Sequence, residues 1–164
     1  MPDPAALVPA VIARLDLVPG EVLLVAPCAD GALAITLATA LPRGVRVLGV
    51  DADAAAIGRA REATNSLPAK IARDLAWRVS SPRALTIASG SCGGAVTEAS
   101  RLPSGDADAI VGEVARTALP GGWVVVIVGD REHANVAAVQ DILIRRNLRE
   151  VEMSDGLVWG RKAL

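Results

Sequence analysis

The sequence predicts an α/β protein: a mostly parallel sheet with helices on both faces and an antiparallel hairpin at one end. Three observations carry this expectation. Short apolar runs bounded by turns alternate with helix-period segments, as βαβ units require. Three of the runs, within EVLLVA (21–26), VRVLGV (45–50) and WVVVIV (123–128), are nearly continuous in apolar residues, which suits strands covered on both faces. Finally, LREVEM and LVWGRK flank Ser154-Asp155-Gly156, a turn that joins antiparallel strands.

Each element follows from local chemistry. Asp3 can cap a short first helix that Pro9 bends or restarts and that ends near Leu15. After the first strand, Asp30 is placed to cap a helix running to about Leu41, stopped by Pro42 and Gly44. Asp51 follows the second strand, and Asp53 can cap the helix AAAIGRAREA. The stretch 65–74 is ambiguous, LAWRV (75–79) reads as a third strand, and GGAVT (93–97) as a fourth weakened by its glycines. A helix over about 106–118 begins with Asp106 and Asp108, acids that suit its dipole, and stops at Pro120-Gly121-Gly122 before the fifth strand. A helix over about 134–146 turns Val136, Val139, Ile142 and Leu143 to one side. Val22–Ala26, Val45–Val50 and Val124–Val128 are expected to be the most buried strands.

The 164 residues predict one domain, 1–164. Every apolar run is interrupted before the roughly 20 residues a membrane span needs. Asp3 stands where a secretory leader wants positive charge, so a cytoplasmic location is expected. A net charge of −1 leaves no basic excess for phosphates, which argues against nucleic acid as a partner. Two cysteines and one histidine are too few for a disulfide framework or a multi-cysteine zinc site, and no metal is expected. Rich use of Ala and Arg with little Lys fits GC-rich bacterial coding.

Four fragments occur in order: LDLVPGEVLLVAPCADGALAITLA, VLGVDADAAAIGRARE, the stretch from RVSSPRALTIASGSCGGAVTEASR onward, and EVARTALPGGWVVV, the most specific. In these, and over nearly the whole chain, the sequence resembles the class I S-adenosylmethionine (SAM)-dependent methyltransferases, especially the small ubiquinone/menaquinone-biosynthesis-like group. The resemblance implies a Rossmann-like sheet of seven strands, order 3-2-1-4-5-7-6, with only the seventh antiparallel. It further implies SAM as cofactor and a small-molecule substrate, bound beyond the carboxyl ends of the strands where strand order reverses.

On that resemblance the cofactor-binding positions are Ala26, Cys28, Asp30, Asp51, Ala52 and Ser81. Asp51 would accept the ribose hydroxyls of SAM, a charge-assisted contact worth about 1.5–3 kcal/mol. From the residues alone it can equally be a helix-start residue. Ser81 stands where the family has an acid near the adenine and keeps one hydrogen bond. The loop after the first strand departs further. The family's acid is here Leu24, and its alternate glycines are Ala26, Cys28 and Asp30; a one-residue shift would recover Gly31 alone. Glycine takes positive φ cheaply and lets a ligand lie on bare backbone, while Pro27 removes an N–H. Loss of the acid removes the partner of SAM's amino group, and Asp30 places a carboxylate near SAM's own. At about 1–3 kcal/mol per lost contact, two losses take a micromolar site to roughly millimolar. Weak or absent SAM binding is therefore expected.

The remaining chemistry is sparse. Cys28 precedes a helix N-terminus, where a thiolate is favoured, and His133 follows the fifth strand, so a Cys/His nucleophilic pair is conceivable; the commoner reading of Cys28 is a small, semi-buried filler. In the implied strand order the two lie about 10 Å apart, because one strand separates theirs. Glu98, after the fourth strand, falls where the family faces its substrate and is otherwise an exposed loop residue. The run Arg131-Glu132-His133 reads as a solvated loop. No insertion supplies a lid over the dry pocket that methyl transfer needs. A homodimer or a heteromeric partner protein is therefore expected, with the chain as a non-catalytic scaffold or partner subunit. The alternative is an active SAM-dependent methyltransferase of small molecules with an atypical loop.

Overall fold

The computed structural model describes residues 4–99, 105–128, 133–154 and 156–164. Seven strands form one sheet: β1 (Val22–Val25), β2 (Arg46–Asp51), β3 (Leu75–Val79), β4 (Cys92–Glu98), β5 (Ala118–Ile127), β6 (Leu148–Ser154) and β7 (Leu157–Lys162). Their order is β3-β2-β1-β4-β5-β7-β6, with β7 antiparallel to both its neighbours and the pairings from β3 through β5 parallel. This is the methyltransferase arrangement of the Rossmann-like α/β fold, as the hairpin at the chain's end predicted.

A 3-10 turn (Pro4–Leu7) leads into α1 (Val8–Leu15), followed by α2 (Ala32–Ala40), α3 (Ala54–Asn65), the single turn α4 (Ala69–Ala72), α5 (Ala107–Thr117) and α6 (His133–Arg145). Alternation along the strands divides the core in two. Leu23 and Val25 pack with Val11, Leu37 and Ile57 of α1, α2 and α3, and Leu24 and Ala26 pack with Val111, Val114 and Leu143 of α5 and α6. Complete burial of side chains such as Leu23, Leu37, Ile57 and Leu143 contributes about 1.5–3 kcal/mol each.

Several local expectations need correction. The most buried strand is β4, in which all seven residues are buried; the three named strands are interior, but Val22, Arg46 and Leu48 stay partly or fully exposed. The β4 glycines that weakened its reading let Leu15 and Leu17 approach the sheet closely. Pro120-Gly121-Gly122 lies inside β5, because the pair Cys92/Ala118 is followed directly by Gly94/Trp123 and the residues between loop out. The N-cap of α2 is Gly31, at φ 86°, and Asp30 serves from one residue earlier by accepting the Ala32 N–H at 3.2 Å. Asp3 falls outside the described residues.

Candidate functional site

The chain leaving β1 turns through a cis Ala26–Pro27 peptide, passes Ala29 at φ 50° and reaches Gly31 at φ 86°. Hydrogen bonds fix this loop from beneath: the Cys28 N–H donates to the Val50 carbonyl at 2.9 Å, and the Thr97 hydroxyl donates to the Ala26 carbonyl. Asp51 fixes it from the side. Its Oδ2 accepts the Ala29 N–H at 2.8 Å while Oδ1 accepts the Asp53 N–H at 2.9 Å. Each carboxylate oxygen already receives one backbone donor, and an anionic acceptor roughly doubles the strength of such bonds. Asp53 caps α3 by accepting the Ala55 N–H at 2.9 Å, which frees Asp51 from that duty.

Gly31, the loop's remaining glycine, has an internal reason to be small. A Cβ there would lie 2.5 Å from Trp77 Cη2 and 2.9 Å from Ala60 Cβ. A Cβ on Gly49 would lie 2.3 Å from the same indole, at Cζ3. The ring is held in place because its Nε1 donates to Thr64 Oγ1 at 2.8 Å. Both glycines therefore make room for an indole packed beneath the loop.

Beside the loop lies a cleft of 390 Å³, lined by Pro27, Ala29, Asp51, Ala52, Ser81 and Ile110 among others. Arg83 and Asp106, also in its lining, form an ion pair at 3.1 Å that ties the segment after β3 to the start of α5. Asp106 is the N-cap residue of α5, with Asp108 in the first turn, as the sequence leads one to expect; its side chain makes no capping bond and pairs with Arg83. The segment is anchored again further along. Glu113 Oε2 accepts the Leu85 N–H at 2.8 Å, and Arg116 donates to the Leu85 and Ile87 carbonyls at 3.1 and 2.9 Å. Hydrogen bonding from Arg116 holds the Glu113 carboxyl below its ordinary pKa, and the same pairing raises that of Arg116.

Of the six positions named for cofactor binding, the structure brings three together in the cleft: Asp51, Ala52 and Ser81. Ser81 is exposed and its Oγ accepts the Arg83 N–H at 3.3 Å. Ala26 and Cys28 are buried beneath the loop, 0% and 4% exposed, and Asp30 points to solvent. The thiolate reading of Cys28 is overturned. Burial, and then the nearby Asp51 charge, push its thiol up to about 12, and α2 begins only at Ala32. Glu98 is not an exposed loop residue: it is the last residue of β4 and 6% exposed, in register with Ile127. His133 begins α6, but its side chain lies outside the described residues, as do Arg131 and Glu132. Sequence reading missed Arg83, which shows no motif. It also missed the Glu113–Arg116 anchor, for which the i,i+3 spacing was the available signal.

Among the described residues no group of three His, Cys, Asp or Glu side chains could hold a metal ion, and no helix is long and apolar enough to cross a membrane. No family model matches the chain, and no curated protein matches it. Solved structures do. A SAM-dependent methyltransferase from Methanosarcina mazei superposes with a TM-score of 0.71 at 18% identity, over 94% of this chain and 97% of that one. Geranyl diphosphate C-methyltransferase from Streptomyces coelicolor gives 0.76 at 14% identity, over 97% of this chain and 80% of that one. The cyclase SpnF gives 0.77 at 18% identity, over 91% of this chain and 59% of that one. The fold of this chain is thus the class I SAM-dependent methyltransferase fold, a frame that the cyclase also carries.

Proposed function

We propose that this chain is a methyltransferase-fold protein with an eroded SAM site that serves as a non-catalytic scaffold or partner subunit. The carrying observation is the loop after β1, which is satisfied by the protein itself. Leu24, where the resemblance asks for an acid, is completely buried among apolar side chains, and Ala29 spends its N–H on Asp51. The fit to SAM is partial: Asp51, Ala52 and Ser81 offer a carboxylate and a hydroxyl for the nucleoside end. The amino-acid end has no acid and no bare glycine backbone. Two missing contacts at about 1–3 kcal/mol each weaken a micromolar site by about 30-fold to more than 10,000-fold, centred near a millimolar dissociation constant.

One observation favours the alternative, an active methyltransferase of small molecules: the cleft beside Asp51 falls within the volume range of ordinary ligand pockets. Calorimetric titration with SAM and with its demethylated product separates the two. The expected result is no saturable heat below about 1 mM. Low-micromolar binding of either ligand would overturn the proposal and favour the alternative.

A further inference from the structure

The net charge of −1 conceals a basic segment. Residues 54–83 hold six Lys and Arg (Arg59, Arg61, Lys70, Arg73, Arg78, Arg83) against two acids, Glu62 and Asp74. That segment is +4; with a total of −1, the rest of the chain is −5. It folds into α3, α4 and β3, and β3 is an outer strand of the sheet. Of its two acids, Asp74 is buried and accepts the Gly44 N–H at 3.2 Å. Arg59, Arg61, Lys70, Arg73 and Arg78 are exposed and make no ion pair among the described residues.

The same edge offers backbone. The Val47 N–H donates to the Asp74 carbonyl at 2.7 Å and the Ser80 N–H to the Asp51 carbonyl at 2.9 Å, so the even-numbered residues of this strand face β2. In a parallel pair the intervening Leu75, Trp77 and Val79 turn their N–H and C=O groups outward. The Trp77 carbonyl does so, because it receives Arg61 Nη2 at 3.4 Å. Val79 is 46% exposed.

We infer that the β3 edge is a docking surface for an extended acidic segment of a partner protein, which adds a strand beside β3 and places its carboxylates on the α3–α4–β3 cations. This inference rests on the reading of the chain as a partner subunit and names the chemistry of what it binds. A strand partner satisfies both features, the outward edge groups by β-augmentation, with the Trp77 carbonyl exchanging Arg61 for the partner's N–H, and the cations without an ion pair among the described residues by charge. Nucleic acid fits less well: beyond a Debye length of about 8–10 Å the chain's net charge is negative, and Trp77, the edge's aromatic residue, is half-buried and committed to Thr64. The rival physical account is that the cations only keep edges of separate copies apart.

The probe is a fluorescein-labelled ten-residue peptide of alternating Glu and Val, titrated into the full chain at low and physiological salt. The comparators are the peptide N-methylated along one edge and a ten-nucleotide oligo-dT. Saturable binding is expected, weakened at least about tenfold by the triple variant Arg59→Glu, Lys70→Glu, Arg73→Glu, by N-methylation, and by added salt. None of these three side chains makes a hydrogen bond or ion pair among the described residues, and unchanged circular dichroism would establish that the variant is folded. No peptide binding up to about 1 mM, or binding indifferent to the triple variant, overturns the inference and leaves the edge-guarding account. Tighter binding of oligo-dT than of peptide overturns it in favour of nucleic acid. A SAM titration of the same samples keeps the two claims apart, because micromolar SAM binding removes the partner-subunit reading whatever the peptide does.

Discussion

Replacing Leu24 by Asp restores the acid that the methyltransferase resemblance asks for, and the structure says what that restoration would cost. Leu24 is completely buried on the face of β1 that packs with Val50, Ala95, Val111, Val124 and Val126. Two terms add. Losing the leucine side chain from a packed core costs about 2–5 kcal/mol. A carboxyl buried among apolar groups has its pKa raised by about 3–5 units; because the unfolded carboxyl titrates near about 3.9, only about three of those units are expressed at neutral pH, about 4 kcal/mol at about 1.4 kcal/mol per unit. The total rivals the roughly 5–15 kcal/mol that holds a domain together. The pH dependence has a definite sign. The folded-state pKa of the new carboxyl lies above its unfolded value of about 3.9, so stability is greatest below that value and is lost as pH rises toward the folded pKa. Urea denaturation followed by far-ultraviolet circular dichroism at pH 4.5 and 7.5, with Leu24→Asn as the uncharged control, reads both terms. Leu24→Asp should be largely unfolded at pH 7.5 and regain stability at pH 4.5, whereas Leu24→Asn should show little pH dependence. A variant within about 1 kcal/mol of wild type at pH 7.5 would refute the reasoning, because loop donors would then reach the carboxylate and the acid position would be intact.

Three further outcomes follow from named contacts. Gly49→Ala should destabilise by about 1–3 kcal/mol or more, because its Cβ would sit 2.3 Å from the anchored Trp77 ring; Trp77→Leu in the same chain should recover part of the loss in a denaturation double-mutant cycle, and strict additivity would remove the clash as the cause. Glu113→Gln should cost stability at pH 7, and the gap to wild type should close as pH falls. The folded carboxyl of Glu113 lies below its ordinary pKa, so the contribution is present above the unfolded value of about 4.3 and is lost on descent through the folded value; a gap constant from pH 7 to 3 would sink this. Cys28, with its thiol pushed up to about 12, should resist iodoacetamide in the native chain at pH 8 and react on unfolding. Rapid native labelling, located by mass spectrometry, would contradict the buried neutral thiol.

Sequence alone determined the fold class and the strand count, because continuous apolar runs, helical periods and a closing hairpin are written in local residue types; the strand order came from the resemblance to the methyltransferase family. The seven strands appear in the implied order. The resemblance also named Asp51, Ala52 and Ser81, which lie at or just beyond the carboxyl ends of β2 and β3 and line one cleft. Local pattern did not reach the properties set by what lies above or below a residue. Leu24, Ala26 and Cys28 read as an altered loop, but their burial depends on Thr97, Val50 and helices from elsewhere in the chain. Gly31 reads as a remnant of a cofactor loop until Trp77, from a distant strand, is found against it. Glu98 reads as a loop residue until β4 proves to extend one residue further at each end than GGAVT, as Cys92–Glu98. The five cations that make no ion pair among the described residues share one stretch of sequence, 59–78; only the fold places that stretch, as α3, α4 and β3, at an outer strand of the sheet. Periodicity records which face of an element is apolar; only tertiary packing decides which long-range neighbour occupies the space against it.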